Sequence, residues 1–156
     1  NTDVSGQGTW DQGMAAASGH GVKSVVMGNC GGGFAPAKPD KHDWLIGLME
    51  GVEDIPGTAL AEGMNWDWET FPEYLDALEK LPRTVDVGTH VPHGSVRAYV
   101  LGDRERPGAV PTAEDIAALS RIVEDGVPAG ALGFSTSRTV LHRDTRGAVA
   151  PAPPAT

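Results

Sequence analysis

The chain has one cysteine, Cys30, in a setting that suits metal or thiol chemistry. It follows an apolar run at residues 22–28 (VKSVVMG) and precedes Gly31, Gly32 and Gly33. A thiolate at the end of a strand can hold zinc tightly, and glycines let the backbone turn sharply and come close to an ion or substrate. Free cysteine is also among the most buried residue types. The residues alone leave two interpretations of Cys30 open, a metal ligand and a buried core thiol.

Two later segments also end in polar residues that suit substrate binding. His93 lies in VPHG, directly after a predicted strand, and could either orient a substrate or be structural. Ser135 and Arg138 lie in GFSTSR, after another short strand. The guanidinium of Arg138 suits a bidentate grip on a carboxylate, and the alternative is a solvated arginine at a helix-entry turn.

Two further site hypotheses have little support. His90, His93 and Cys30 could form a zinc site, but their spacing matches no compact zinc motif. GNCGGG superficially resembles a phosphate-binding loop, but it lacks the lysine and the hydroxyl residue that such loops carry.

Strand and helix patterns alternate along the chain, which predicts an α/β protein built from βα units. The predicted strands are residues 22–28, 84–91 and 131–135, and the predicted helices are residues 42–51, 71–80 and 112–126. The first strand is almost continuously apolar, so we expect both its faces to be covered. The last helix should start at an N-cap, Thr112, and stop near Gly126, because Pro128 cannot continue it.

Composition bounds the function further. The 156 residues correspond to about one domain, and 12 Lys+Arg against 21 Asp+Glu give a formal net charge of -9. This charge disfavours nucleic acid and anionic membranes as partners. No apolar run is long enough to span a membrane, and a lone cysteine cannot form an internal disulfide, so we expect a cytoplasmic protein. Residues 143–156 are rich in Pro and Ala and read as a flexible tail after a domain at residues 1–142.

Four sequence blocks resemble the N-acyl-D-amino-acid deacylase (D-aminoacylase) branch of the amidohydrolase superfamily. They are GHGVKSVVMGNCGGGFAP (19–36), LMEGVEDIPGTALAEGMNWDWETFPEYLDAL (48–78), VPHGSVRAYVLG (91–102) and AGALGFSTSRTVLHR (129–143). They occur in the family's order and cover most of the chain. The resemblance implies a (β/α)8 TIM barrel that hydrolyses the amide of N-acyl-D-amino acids, small molecules, with a zinc-activated water.

The resemblance also assigns site residues. Cys30 matches a cysteine that is a zinc ligand in D-aminoacylases. In the register of NTDVSGQGTW with the family's HTHxDGQxTW, Asn1 and Asp3 replace the two histidines, and Ser5 replaces an aspartate. Asn1 and Asp3 could offer oxygen ligands, which do not reproduce two imidazoles on zinc. By the same resemblance, His93 would lie near the substrate pocket.

In the family, two more histidine ligands and the general-base aspartate lie beyond the GFSTSR block, outside these residues. A (β/α)8 barrel takes about 250 residues, so the chain is expected to form a partial barrel of three or four βα units. Open sheet edges and an uncovered core face then require self-association or a second chain. The alternative function is a non-catalytic truncated homologue that acts as a structural or interaction module.

Overall fold

The computed structural model describes residues 4–53, 55–106, 108–137, 139 and 142–148, in which helices and strands alternate. The α-helices of this part are α1 (Ala15–Ser18), α2 (His42–Glu53), α3 (Gly57–Gly63), α4 (Phe71–Lys80), α5 (His93–Leu101) and α6 (Ala113–Ala129). Its strands are β1 (Ser24–Met27), β2 (Asp86–Thr89), β3 (Val91–Pro92) and β4 (Phe134–Ser135). The α/β class predicted from the sequence is confirmed.

The strands form parallel pairs, β1 with β2 and β3 with β4. The register runs from Ser24 opposite Asp86 to Met27 opposite Thr89, and from Val91 opposite Phe134 to Pro92 opposite Ser135. Only His90 separates β2 from β3, and its N–H donates to the carbonyl of Met27 at 3.0 Å. Segment 86–92 therefore lies between β1 and β4. Parallel neighbours joined through helices are the expected βα arrangement.

Helix α4 begins and ends where the sequence predicts. The hydroxyl of Thr70 accepts from the N–H of Glu73 at 3.4 Å, and the Glu73 carboxylate accepts from the N–H of Thr70 at 2.8 Å. This reciprocal capping box satisfies two N-terminal donors. Pro72 lies in the first turn and Lys80 in the last, both favourable positions.

Helix α6 starts after the predicted N-cap, Thr112, but the predicted end near Gly126 is wrong. The helix continues to Ala129, with Pro128 in its last turn, and Gly130 then closes it by donating to the carbonyl of Val127 at 3.1 Å. Proline costs most in a helix interior. In the last turn only one hydrogen bond is lost, so the helix extends three residues beyond the predicted end.

Helix α5, which begins at His93, is absent from the helices predicted from the sequence. Five of its first six residues, from Gly94 to Ala98, are buried, so the helix lacks the one-sided apolar pattern that marks an amphipathic helix. Arg97 is buried inside it and pairs with Glu105, with Nη2 and Oε2 3.0 Å apart. This pair ties the helix to the turn that follows it.

Strand β1 is covered on one face only, which corrects the predicted two-sided burial. Val25 and Met27 are 4% and 0% exposed, whereas Val26 is 39% exposed. Met27 packs into the hydrophobic core, whereas the face that carries Val26 is more exposed to solvent.

The core lies between the strands and helices α2, α4, α5 and α6. Its most deeply buried large side chains include Met27, Phe34, Leu45, Met49, Phe71, Tyr74, Val91 and Val96. Two polar side chains of this core are hydrogen-bonded: Trp68 Nε1 donates to the carbonyl of Phe34 and Tyr74 Oη donates to that of Ser5, each at 2.8 Å. Within the described ranges, every helix is too short or too polar to traverse a bilayer.

Candidate functional site

Cys30 lies in a left-handed turn directly after β1. Gly28, Cys30 and Gly31 have φ angles of 75°, 56° and 78°, a region that residues other than glycine rarely adopt. A Cβ on Gly28 would lie 2.6 Å from the carbonyl oxygen of His90, so no side chain fits there. The turn leaves Cys30 exposed. The buried-thiol interpretation is therefore wrong for this structure.

Ser135 joins the end of β4 to the Cys30 turn. Its hydroxyl donates to the carbonyl of Gly28 and accepts from the N–H of Gly31 at 3.2 Å. Both bonds connect residues that are more than a hundred positions apart in the chain. The predicted substrate-binding serine thus holds the backbone that displays Cys30.

His93 is the first residue of α5, directly after β3. Its Nδ1 and the hydroxyl of Thr136 are 3.1 Å apart and share a hydrogen bond. The rings of His93 and Phe134 pack edge to face, with their centroids 5.6 Å apart. Burial, together with the positive charge of Arg97, lowers the pKa of His93 to about 4. The imidazole is therefore neutral at neutral pH and can donate or accept a hydrogen bond.

Three of the predicted site residues come together at the carboxyl edge of the strands. A Cβ placed on Gly31 would lie 3.5 Å from Cβ of His93 and 3.3 Å from Cα of Thr136. The turns after β1, β3 and β4 therefore touch one another and bring Cys30, His93 and Ser135 to one edge. The other predicted residues, Asn1, Asp3 and Arg138, lie outside the described residues.

The metal chemistry of this edge rests on Cys30. The exposed thiol of Cys30 suits one position in the coordination shell of zinc. Within the described part of the chain, no three His, Cys, Asp or Glu side chains form a group that could hold a metal ion. The proposed set of Cys30, His90 and His93 is therefore not a metal site here. Cys30 fits a single ligand, and the described residues do not complete the shell.

One residue near Cys30 is not among the predicted site residues. His142, the last residue of the predicted domain at residues 1–142, lines a small crevice together with Cys30, Gly31 and Leu48. Residues 142–148, which we call the strap, form a turn that packs against α2. The sequence carries one signal for this packing, the pair Gly47 and Gly51. Glycines four residues apart lie on the same face of a helix, so that face of α2 has no side chains at these two positions. The domain boundary after residue 142 stays a prediction.

The chain is an α/β protein with parallel strands and helical connections. Its candidate site consists of a cysteine, a histidine and a serine on the turns that follow the strands. Residues 2–156 match the sequence pattern of the amidohydrolase family, so the chain belongs to that family. This confirms the family resemblance drawn from the sequence.

Relatives of known name agree with this assignment. D-aminoacylase from Alcaligenes xylosoxydans xylosoxydans is 36% identical over 116 residues, which cover 74% of this chain and 21% of the relative. A solved D-aminoacylase, described with a binuclear metal centre, superposes with a TM-score of 0.66 at 30% identity, covering 87% of this chain and 26% of that one. N-acyl-D-glutamate deacylase from Bordetella bronchiseptica, solved with zinc and a phosphonate inhibitor, gives a TM-score of 0.59 at 29% identity, covering 88% and 25%. The chain thus spans about a fifth to a quarter of the length of these relatives.

Proposed function

We propose that this chain supplies one part of a zinc-dependent amidohydrolase site that cleaves the amide bond of N-acyl-D-amino acids. The observation that carries this proposal is the left-handed turn that presents Cys30 beside His93 at the carboxyl edge of the strands. The family membership and the zinc in the N-acyl-D-glutamate deacylase structure support the choice of metal and substrate.

In this proposal Cys30 is a metal ligand, with Asn1 and Asp3 as candidate oxygen ligands. When bound, zinc supplies a Lewis acid that polarises the amide carbonyl and an activated water. The family's remaining histidine ligands and general-base aspartate would come from a second chain or from sequence beyond these residues.

The other site residues bind and orient in this proposal. Neutral His93 hydrogen-bonds the substrate from Nε2, because Nδ1 is engaged by Thr136. Ser135 keeps the Cys30 turn in place, and Arg138 grips the carboxylate of the acylated amino acid as a bidentate donor. The scaffold is a partial TIM barrel formed by residues 1–142, as three or four βα units.

We further propose that an apolar groove beside α6 is covered by self-association or by a second chain. The groove has a volume of about 410 Å³. It is lined by His93, Val96, Ile116, Leu119, Val123 and Phe134. Ile116 and Phe134 remain 54% and 44% exposed. Exposing large apolar side chains together on one surface is unfavourable and is typical of an interaction site. Light scattering across a concentration series tests this proposal, since a protein that stays monomeric at every concentration contradicts self-association.

The function is tested by zinc analysis of the purified protein and by hydrolysis assays with N-acetyl-D-amino acids and their L enantiomers. The proposal expects bound zinc that is lost in Cys30→Ser, and turnover of the D substrates whenever the missing ligands are supplied. Zinc content unchanged by Cys30→Ser contradicts the ligand role of Cys30.

A second candidate is a non-catalytic homologue that serves as a structural or interaction module. The exposed groove favours it, as does the lack of a three-residue metal group within the described ranges. A stable complex through the groove, with neither zinc nor turnover in the assembled state, would favour this candidate over the hydrolase.

A further inference from the structure

The strap lies in a groove of α2 formed by two glycines. It runs antiparallel to the helix, because Arg143 lies beside Gly51 whereas Thr145 donates its N–H to the carbonyl of Gly47 at 3.3 Å. A Cβ on Gly51 would lie 2.4 Å from the carbonyl oxygen of Arg143 and 2.7 Å from the nitrogen of Thr145. Contacts this short involve backbone on both sides and leave no room for a side chain.

The strap has its own internal bonds, centred on Asp144. One carboxylate oxygen accepts from the N–H of Arg146 at 2.9 Å and from that of Ala148 at 2.8 Å. The other accepts from the guanidinium of Arg146, at 2.8 Å from Nη2. The strap is therefore a preformed turn that seats on α2 as one piece.

Two other residues of α2, Leu48 and Met49, support the Cys30 turn. A Cβ on Gly32 would lie 3.1 Å from the sulfur of Met49, and one on Gly94 would lie 3.7 Å from Leu48. His142, at the start of the strap, lines the same crevice as Cys30. One helix thus contacts the strap through its glycines and the Cys30 turn through Leu48 and Met49.

We propose that the seating of the strap on α2 sets the conformation and accessibility of the Cys30 turn. With the strap seated, His142 and α2 form one wall of the Cys30 crevice. With the strap released, that wall loosens and the thiol becomes easier to reach. This device concerns the conformation of the protein and does not depend on metal binding or hydrolysis.

The test compares Gly51→Ala with Gly47→Ala in the purified protein. Both changes replace glycine with alanine in the same helix, but a Cβ on Gly47 meets only the hydroxyl of Thr145 at 3.6 Å, an ordinary contact. Trypsin cleavage after Arg143 and Arg146 reports release of the strap. Alkylation of Cys30, the chain's only thiol, reports the state of its turn.

Gly51→Ala is expected to raise the cleavage rate about tenfold, because cleavage follows the population of the opened state. The alkylation rate should rise less, about threefold, because the exposed thiol of Cys30 also reacts while the strap is seated. Gly47→Ala should leave both rates close to wild type. Faster cleavage with unchanged alkylation overturns the proposal, because the strap would then be uncoupled from Cys30. Unchanged cleavage also overturns it, because the strap would not occupy the glycine groove.

A second variant covers the case in which Gly51→Ala does not fold. Asp144→Ala removes the acceptor that organises the strap and leaves α2 untouched. It should raise both rates in the same direction, whereas Asp76→Ala, at an exposed position of α4, should change neither. Equal rates in the two aspartate variants contradict the proposal.

Discussion

Replacing Ser135 with alanine removes the link between β4 and the Cys30 turn. The serine hydroxyl donates to the carbonyl of Gly28 and accepts from the N–H of Gly31. Both bonds are partly buried, and each contributes about 0.5–1.5 kcal/mol net. Ser135→Ala should therefore lower the free energy of unfolding by about 1–3 kcal/mol. For a chain of this size, a loss of about 2 kcal/mol lowers the Tm by roughly 4–8 °C.

Urea denaturation followed by circular dichroism measures this change. Thr58→Ala is the control, because Thr58 is an exposed hydroxyl residue of α3 away from the groove and such substitutions stay within about 0.5 kcal/mol of wild type. Ser135→Ala should also speed alkylation of Cys30, since the turn loses the hydrogen bonds that hold Gly28 and Gly31 on either side of the cysteine. If Ser135→Ala is as stable as Thr58→Ala, the Ser135 hydroxyl does not bridge the ends of β1 and β4.

Three further predictions concern the turn, helix α6 and His93. Gly28→Ala should cost about 1–3 kcal/mol of stability in urea, because alanine is strained at a φ of 75°; wild-type stability would contradict the left-handed turn. Thr112→Ala should cost about 1 kcal/mol by removing an N-cap, and an unchanged urea midpoint would show that the cap is unimportant. Burial lowers the pKa of His93 to about 4 in the folded state, whereas its usual value is about 6.5. Between about pH 6.5 and pH 4 the unfolded state therefore binds more protons than the folded state. Stability should therefore fall across that window and fall less in His93→Asn; an NMR titration of His93 with a midpoint near its usual pKa refutes this.

The parts of the fold that could be predicted are those specified by neighbouring residues. Helix α4 carries its capping residue, its first-turn proline and its terminal lysine within eleven positions of one another, so both its bounds follow from local chemistry. The strands of the structure overlap the predicted strands at residues 22–28, 84–91 and 131–135. Their carboxyl ends bring Cys30, His93 and Ser135 to one edge, as the order of βα units requires.

The parts that could not be predicted depend on distant contacts. Helix α5 is buried nearly all round, so its sequence has no polar face to mark a helix, and the charge of Arg97 is satisfied by Glu105 beyond the helix end. The strap reads as a tail because its composition is poor in large apolar residues. Its position depends on the lack of side chains at Gly47 and Gly51, about a hundred residues earlier. No pattern within the strap itself indicates this contact.

The role of Ser135 shows the same limit within the site. A serine after a strand suits substrate binding, and nothing in the neighbouring sequence indicates that its hydroxyl bonds to Gly28 and Gly31. The exposure of Cys30 likewise follows from its φ of 56°, a backbone property that the glycines beside it made possible but did not require.

Cobalt(II) substitution tests the central claim, that Cys30 is a metal ligand, most directly. A thiolate bound to cobalt gives a near-ultraviolet charge-transfer absorption, and in this chain such a signal has one possible source. The account predicts the absorption in the cobalt-loaded wild-type protein and its loss in a folded Cys30→Ser variant. Absence of the absorption from wild type at saturating cobalt, or its persistence in the variant, would contradict the claim.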